Sequence, residues 1–163
     1  MKSGTSTTRS ERIEPIKVYA TLRVAGDQLV PEQVTRTLKI IPTCAYAKGE
    51  HYSGGPNSPD LIGRTGVWFF STEGVVAGNQ LGDHLVFMEK LLTGGRDAAG
   101  PLPALQQLLR RRSLHAVVTC FWHGLSGARR PSIPRTVTET LKLIPAAIET
   151  DFDVDERPNR HAA

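Results

Sequence analysis

A thirteen-residue segment of this chain occurs twice, and this internal repeat limits the folds that the chain can adopt. Residues 30–42 read VPEQVTRTLKIIP and residues 133–145 read IPRTVTETLKLIP, with eight of the thirteen positions identical. Each copy has a proline suited to the first turn of a helix, apolar residues at helical spacing, and a second proline that ends the helix. Two copies so far apart predict two related supersecondary units, not a solenoid of many short repeats.

The pattern of apolar residues around the repeats predicts an α+β fold. Between residues 16 and 24, apolar and polar side chains alternate, which is typical of a half-buried strand. The predicted elements are strands at 16–24, 67–70, 114–122 and 147–155 and helices at 31–41, 81–92, 101–109 and 133–144. We expect two duplicated βαβ halves to form an antiparallel sheet of about four strands with helices on one face. The nearest named pattern is a ferredoxin-like variant with a helical insertion between the halves.

The length of 163 residues predicts one domain with a core that needs no disulfide or metal. We place this domain at residues 15–156, with the repeat units at 16–73 and 113–155 and the helical insertion at 80–112. The polar segments 1–14 and 157–163 are predicted to be disordered tails.

Charge and composition exclude few functions. The chain has 20 Lys and Arg against 16 Asp and Glu, a net charge of +4, which permits nucleic-acid binding without requiring it. The three arginines 110–112 close a predicted helix, where cations suit the negative end of the helix dipole. The chain has neither an apolar run of about 20 residues nor the apolar region of a secretory signal. We therefore expect a cytoplasmic protein, away from membranes, with Cys44 and Cys120 reduced.

The sequence lacks the spacing motifs of metal sites and common catalytic sites. If 114–122 is a strand, Cys120 and His123 point to opposite faces, and His115 lies roughly 26 Å from His123 at about 3.3 Å per residue. No nucleophile elbow and no phosphate-binding loop occurs. We predict no metal and no cofactor, and no catalytic residue is assigned. We expect His84 to be solvated, and Trp68 and Phe121 to be core aromatics and not a platform for stacking bases.

The segment 43–66 is the strongest candidate for a functional site. The second repeat runs almost directly into its strand, whereas more than twenty residues follow the first repeat, and so long a connection is usually functional or disordered. If the four strands run up, up, down and down, loops 43–66 and 123–132 meet at one end of the sheet. The predicted binding residues are Lys48, Glu50, His51, Arg64, Arg129 and Arg130. Their converging cations would suit an acidic protein surface or a small anion. The alternative, that these charges only keep two surface loops solvated, stays open.

Several of these segments resemble a bacterial family known as domain-of-unknown-function family 4279. The resemblance rests on YATLRV at 19–24, LVPEQVTRTLKIIPT at 29–43, Lys48-Gly49-Glu50 and Gly66-Val67-Trp68. It covers the first half of the chain closely and the second half loosely. It implies a small α+β cytoplasmic domain and brings no established activity, substrate or cofactor.

Three hypotheses of function follow. The first is a binding module for another protein, with an immunity protein that neutralises a toxin as one form, because a binding module needs no catalytic motif. The second is a small enzyme with a composite site in loops 43–66 and 123–132. The third is a nucleic-acid-binding module, which would need a continuous basic face joining residues 110–112 to Arg129 and Arg130. The oligomeric state is not predicted.

Overall fold

The structure is a computed structural model that describes residues 15–95, 100–144 and 146–155. The predicted tails at 1–14 and 157–163 lie outside the described residues. The strands are β1 (Lys17–Gly26), β2 (Cys44–Tyr46), β3 (His51–Ser53), β4 (Asp60–Ile62), β5 (Gly66–Ser71), β6 (His115–Leu125) and β7 (Ala146–Asp155). The helices are α1 (Pro31–Leu38), α2 (Leu81–Thr93), α3 (Leu102–Arg111) and α4 (Arg135–Lys142). The prediction of an α+β fold is confirmed.

The main sheet has five strands in the order β2-β5-β1-β6-β7, and β3 and β4 form a separate two-stranded sheet. All neighbours in the main sheet are antiparallel except β6 and β7, which are parallel. The predicted antiparallel sheet of about four strands is therefore wrong: the sheet has five strands, and one neighbouring pair is parallel. Of the four predicted strand directions, that of β5 is wrong, because β5 runs antiparallel to β1. Helix α4 carries the chain back to the start of β6, so β7 enters beside β6 in the same direction, as a helical crossover requires. The ferredoxin-like classification stays a prediction.

The helices bury one face of this sheet. Along β1, Ala20, Leu22 and Val24 are completely buried, and they belong to one core cluster together with residues from all four helices. The helical members are Val34 and Leu38 of α1, Leu81, Leu85, Met88 and Leu92 of α2, Leu105 and Leu109 of α3, and Val137 and Leu141 of α4. Helices on one face of the sheet were predicted. The helical spacing of apolar residues in the sequence predicts burial of these positions, which is confirmed. It also predicts burial of Ile41, which is wrong, because Ile41 is 83% exposed.

Local sequence explains where the helices begin and end. Pro31 occupies the first turn of α1, where its missing N–H has no intrahelical partner to lose. Helix α2 ends at Gly94, whose φ of 74° is the left-handed conformation that glycine adopts without steric cost.

Within the described part of the chain, no helix is long and apolar enough to cross a membrane.

The two repeat helices occupy different positions in the helix layer. The internal repeat predicts that these two helices, α1 and α4, pack side by side. Helix α1 instead packs against α3, and α4 packs against α2, so this prediction is wrong. Lys39 adopts a left-handed conformation at the end of α1, whereas Leu143 at the end of α4 stays right-handed. The chain therefore leaves the two helices in different directions, and the two predicted βαβ halves do not have equivalent surroundings.

A buried histidine connects α2 to β1. His84 is only 2% exposed, so the prediction that it is solvated is wrong. Its Nε2 lies 2.9 Å from the Gly78 carbonyl oxygen, and its Nδ1 lies 2.7 Å from Thr72 Oγ1, which also accepts a hydrogen bond of 2.8 Å from the Ala20 N–H. A carbonyl only accepts, so Nε2 carries a hydrogen. Burial of the ring is tolerated because both of its nitrogens have partners.

The different ends of the repeat helices generate a matched stability test. Ile41 and Ile144 are equivalent in the repeat, but Ile41 is 83% exposed and Ile144 is 4% exposed. We expect Ile144→Ala to lower the free energy of unfolding by about 2–5 kcal/mol because it leaves a cavity. Ile41→Ala should change it by less than about 0.5 kcal/mol. Urea denaturation of the two variants measures the difference, and similar losses in both would contradict the structure.

Candidate functional site

The two loops that were predicted to meet lie at opposite ends of the sheet. Gly66, the last residue of the loop 43–66, pairs with Gly26 at the end of β1. His123, near the end of β6, pairs with Lys17 at the start of β1. These two ends of β1 are roughly 30 Å apart at about 3.4 Å per residue. The predicted composite site is therefore wrong: Lys48, Glu50, His51 and Arg64 are at one end of the sheet, and Arg129 and Arg130 are at the other.

The same geometry separates the basic runs. Residues 110–112 precede the start of β6, whereas Arg129 and Arg130 follow its far end. The continuous basic face that a nucleic-acid module would need is not formed by these two runs.

The segment 43–66 is ordered by short strands and is not a structureless loop. Strand β2 pairs with β5 at the edge of the main sheet, with Cys44 opposite Phe69. Strands β3 and β4 form a hairpin in which Tyr52 is opposite Leu61. Each of these strands has three residues, which is too few for a periodicity to be visible in the sequence.

The charged residues predicted as binding groups make local contacts in this segment. Lys48 forms an ion pair with Asp27. Glu50 Oε2 accepts a 2.7 Å hydrogen bond from the Ala47 N–H, and His51 Nδ1 lies 3.3 Å from Asp60 Oδ2. Glu50 and His51 thus make contacts within this segment, and Lys48 connects the segment to Asp27, directly after β1. Arg64, Arg129 and Arg130 are exposed.

Two stacked tyrosines join the hairpin to the main sheet. The ring centroids of Tyr46 in β2 and Tyr52 in β3 are 3.9 Å apart, with an angle of 8° between the planes. Gly63 passes so close that a Cβ there would lie 2.8 Å from the Tyr46 ring and 3.0 Å from the Ala47 carbonyl oxygen. Burial raises the pKa of the Tyr46 hydroxyl, and the neighbouring Tyr52 raises it further. The glycine therefore allows the hairpin to fold closely onto Tyr46.

The sheet face opposite the helices carries a group of aromatic side chains. Alternate residues of β1, including Tyr19 and Arg23, point to this face because Ala20, Leu22 and Val24 point into the core. The strand register places Phe69 beside Arg23 and Phe121 beside Tyr19. We call the following set the aromatic face: Tyr19, Arg23, Tyr46, Tyr52, Phe69 and Phe121. Its aromatic members are half-buried, and Arg23 is exposed.

Aromatic rings on this face contact each other. Tyr19 and Phe121 stack with centroids 4.6 Å apart and an interplanar angle of 16°, and Lys17 Nζ lies 5.3 Å from the centroid of Tyr19. These contacts leave little of the Tyr19 π-face for an unstacked base. Trp68 is fully buried on the helix side, as predicted, with its Nε1–H donating a 2.9 Å hydrogen bond to Thr35 Oγ1. The prediction that Phe121 is a core aromatic is wrong.

Charges surround the aromatic face unevenly. Arg23 makes no salt bridge with any residue that the structure describes. Along the edge strand β7, Glu149, Asp151 and Asp153 are exposed and lie opposite Thr119, Phe121 and His123 of β6. The face is therefore basic at its centre and acidic at one edge. The alternation of acidic and apolar residues in 147–155 predicts such a row of acids on one side of the last strand, and the exposure of Glu149, Asp151 and Asp153 agrees with it. A row of this kind also discourages edge-to-edge aggregation.

Sequence reasoning missed most of the aromatic face. The outward positions of Tyr19 and Arg23 follow from the alternation in β1, so that signal was available. Phe69, Tyr46 and Tyr52 join them only through strand register, which the sequence does not give. Within residues 15–95, 100–144 and 146–155, no group of three or more His, Cys, Asp or Glu side chains is arranged to hold a metal ion.

A comparison with protein families gives one finding about the whole core. The family model described as a domain of unknown function (DUF4279) matches residues 16–155, from just before β1 to the last residue of β7. The comparisons with curated proteins and with solved structures gave no match.

The contact between Lys48 and Asp27 has a measurable electrostatic consequence. A hydrogen bond from Lys48 is the main cause of a lowered pKa of the Asp27 carboxyl, and a hydrogen bond from Thr65 lowers it further. We expect Lys48→Ala to raise this pKa toward its ordinary value of 3.8, as an NMR pH titration of the carboxyl carbon would measure. A depressed carboxyl pKa stabilises the fold above the pKa of the unfolded chain, and this stabilisation is lost as the pH falls through the folded value. An unchanged Asp27 pKa in the variant would contradict the contact.

The two cysteines should differ in reactivity. Burial raises the pKa of the Cys120 thiol to about 11, and the residue is completely buried. Cys44 is half-buried beside Phe69 on the aromatic face. Because the thiolate is the reactive species, a thiol reagent should modify Cys44 in the native protein and leave Cys120 unmodified until denaturant is added. Mass spectrometry of the labelled protein distinguishes the two sites. Labelling of both cysteines at similar rates would contradict the burial of Cys120 in the structure.

Proposed function

The chain belongs to the DUF4279 family, and from that premise, which brings no activity with it, we propose that the protein is a binding module that recognises another protein through its aromatic face. The observation that carries this proposal is the contrast between the two faces of the sheet. Four helices bury one face, while the other presents five partly exposed aromatic rings around Arg23, which makes no salt bridge with a described residue. An apolar surface of this kind marks an interaction site more often than a solvated face.

The composition of the aromatic face supports a protein as the partner. Tyrosine and arginine are among the residues that contribute most to protein–protein binding energy, and they do so near the centre of an interface. Arg23 occupies such a position, with Phe69 beside it in the register and Tyr46 close enough to interact electrostatically. A planar guanidinium among aromatic rings binds a carboxylate well, because the surrounding rings exclude water from the contact.

Charge further defines the partner. A carboxylate on its surface would meet Arg23, while basic groups would face Glu149, Asp151 and Asp153 at the β7 edge. The proposed partner surface is thus apolar with an acidic centre and a basic side. An acidic partner surface was also expected from the sequence, but at loops 43–66 and 123–132. The proposal places its contact on the aromatic face instead.

A matched set of variants tests the proposal. Arg23→Glu reverses the central charge and Phe69→Ser removes an aromatic ring, whereas Val86→Ser changes an exposed apolar residue on α2, on the other side of the sheet. Affinity capture with the wild-type protein identifies candidate partners, and each candidate is then purified and titrated against all four proteins. Central residues of an interface contribute about 2 kcal/mol or more, so Arg23→Glu and Phe69→Ser should each weaken binding about thirtyfold.

Cys44 provides an independent readout. It lies on the aromatic face opposite Phe69, so a bound partner should slow its alkylation. The proposal is supported if a purified partner protects Cys44 and binds the Val86→Ser variant within about twofold of the wild-type affinity. It is wrong if no purified protein distinguishes the variants, if the ligand that does so is a nucleic acid, or if Val86→Ser weakens binding as much as Phe69→Ser.

A further inference from the structure

A second candidate site lies in the helix layer, away from the aromatic face. Helices α1 and α3 pack against each other, and between them is a cavity of about 270 Å³. Its lining residues are Gln33 of α1, Ala104, Gln107, Leu108 and Arg111 of α3, and Arg112 directly after α3. A shallower depression continues along α3 past Gln106 and Arg110.

The arginines that line this cavity have no ion-pair partner among the residues that the structure describes. The ion pairs within the described residues involve Lys17, Lys48, His51 and Arg135, and none of them includes Arg111 or Arg112. No acidic residue is among the lining residues that the structure describes. Arg111 and Arg112 thus both line one concavity, and an anion bound there would offset the repulsion between their like charges.

The remaining lining groups also suit an oxyanion. The side chain of Gln106 is already used, because its amide donates a hydrogen bond to the Leu143 carbonyl oxygen. The side-chain amides of Gln33 and Gln107 make no hydrogen bond with the described residues, so their N–H groups remain available as donors. The exposed Ala104 and the half-buried Leu108 supply the apolar part of the lining.

The helix dipole explains only part of this arrangement. Cations at the end of α3 interact favourably with its negative end, and that effect accounts for the presence of the arginines. It does not account for their position opposite Gln33 of a different helix. At roughly 30 Å³ per water molecule, the cavity holds about nine waters, which is enough for a small organic acid but less than the usual site for a drug-sized ligand.

We propose that the cavity between α1 and α3 binds a small organic anion with two or more oxyanion groups, carboxylate or phosphate. Each guanidinium can make two parallel hydrogen bonds to one such group, and the Gln33 and Gln107 amides would complete the contacts. The site is independent of the proposed protein-binding face, since it uses the helix side of the sheet.

NMR titration with defined anions tests this site. Citrate, inorganic phosphate and acetate are added separately to ¹⁵N-labelled protein at constant ionic strength. We expect citrate or phosphate to shift the signals of Gln33, Gln107, Arg111 and Arg112 and to bind at least about tenfold more tightly than acetate. Tighter binding of citrate assigns the site to polycarboxylates, and tighter binding of phosphate assigns it to phosphorylated compounds.

Two variants and a matched control complete the experiment. The double substitution Arg111→Gln with Arg112→Gln should weaken binding at least tenfold. Ala104→Glu, which adds a carboxylate to the cavity and keeps both arginines, should also weaken it. The control, Arg129→Gln with Arg130→Gln, removes an exposed arginine pair at the other end of the sheet and should leave the affinity within about twofold. The proposal is overturned if neither anion shifts these four signals, if acetate binds equally well, or if the control loses as much affinity as the Arg111 and Arg112 variant.

Discussion

The alternation of side chains along β1 determines both surfaces of the sheet. This strand is hydrogen-bonded on both sides, to β5 and to β6, so its register fixes the position of each neighbour. Ala20, Leu22 and Val24 point into the helix layer and are completely buried, and Tyr19 and Arg23 must then point the other way. A shift of one residue in this register would exchange the core and the aromatic face. The hydrogen bonds from Thr72 to β1, supported by His84, oppose such a shift because they hold the backbone of Ala20 from the end of β5.

The structure assigns different roles to the charged and the aromatic residues near the first repeat. Lys48, Glu50 and His51 bind partners within their own loop or at the end of β1, and exposed pairs of this kind contribute little to stability. In the same segment Tyr52 stacks on Tyr46, and Gly63 allows the close approach. The segment that looked like a charged binding loop therefore extends the aromatic surface of the sheet. This arrangement is why the proposed protein contact is centred on Arg23 and not on the loop.

The sequence predicted the parts of this fold that depend on local periodicity. The four major strands, the four helices and the core positions of α2 were readable because apolar spacing and capping residues act within a few turns of chain. Strand order, the parallel pairing of β7 and the place of β2 were not readable, since they depend on contacts between distant segments. The exposure of Ile41 was missed because helical spacing predicts burial for both Ile41 and its repeat partner Ile144. The similarity of the two repeats did not indicate that Lys39 would end α1 in a left-handed conformation. The candidate site failed for a related reason: β5 runs antiparallel to β1 and not parallel to it, so loop 43–66, which leads into β5, lies at the other end of the sheet from the one predicted.

The central position of β1 also affects how the chain reaches this structure during synthesis. Ala25 pairs with His115, and the other pairs between β1 and β6 span still more of the chain. One complete edge of β1 is therefore without its final partner until synthesis has reached β6. Contacts between residues so far apart in sequence slow folding, and an unpaired strand edge is prone to pair wrongly in the interval. The nascent chain consequently has its greatest exposure to aggregation before β6 appears, and a chaperone that covers β1 during that time would protect the yield of folded protein.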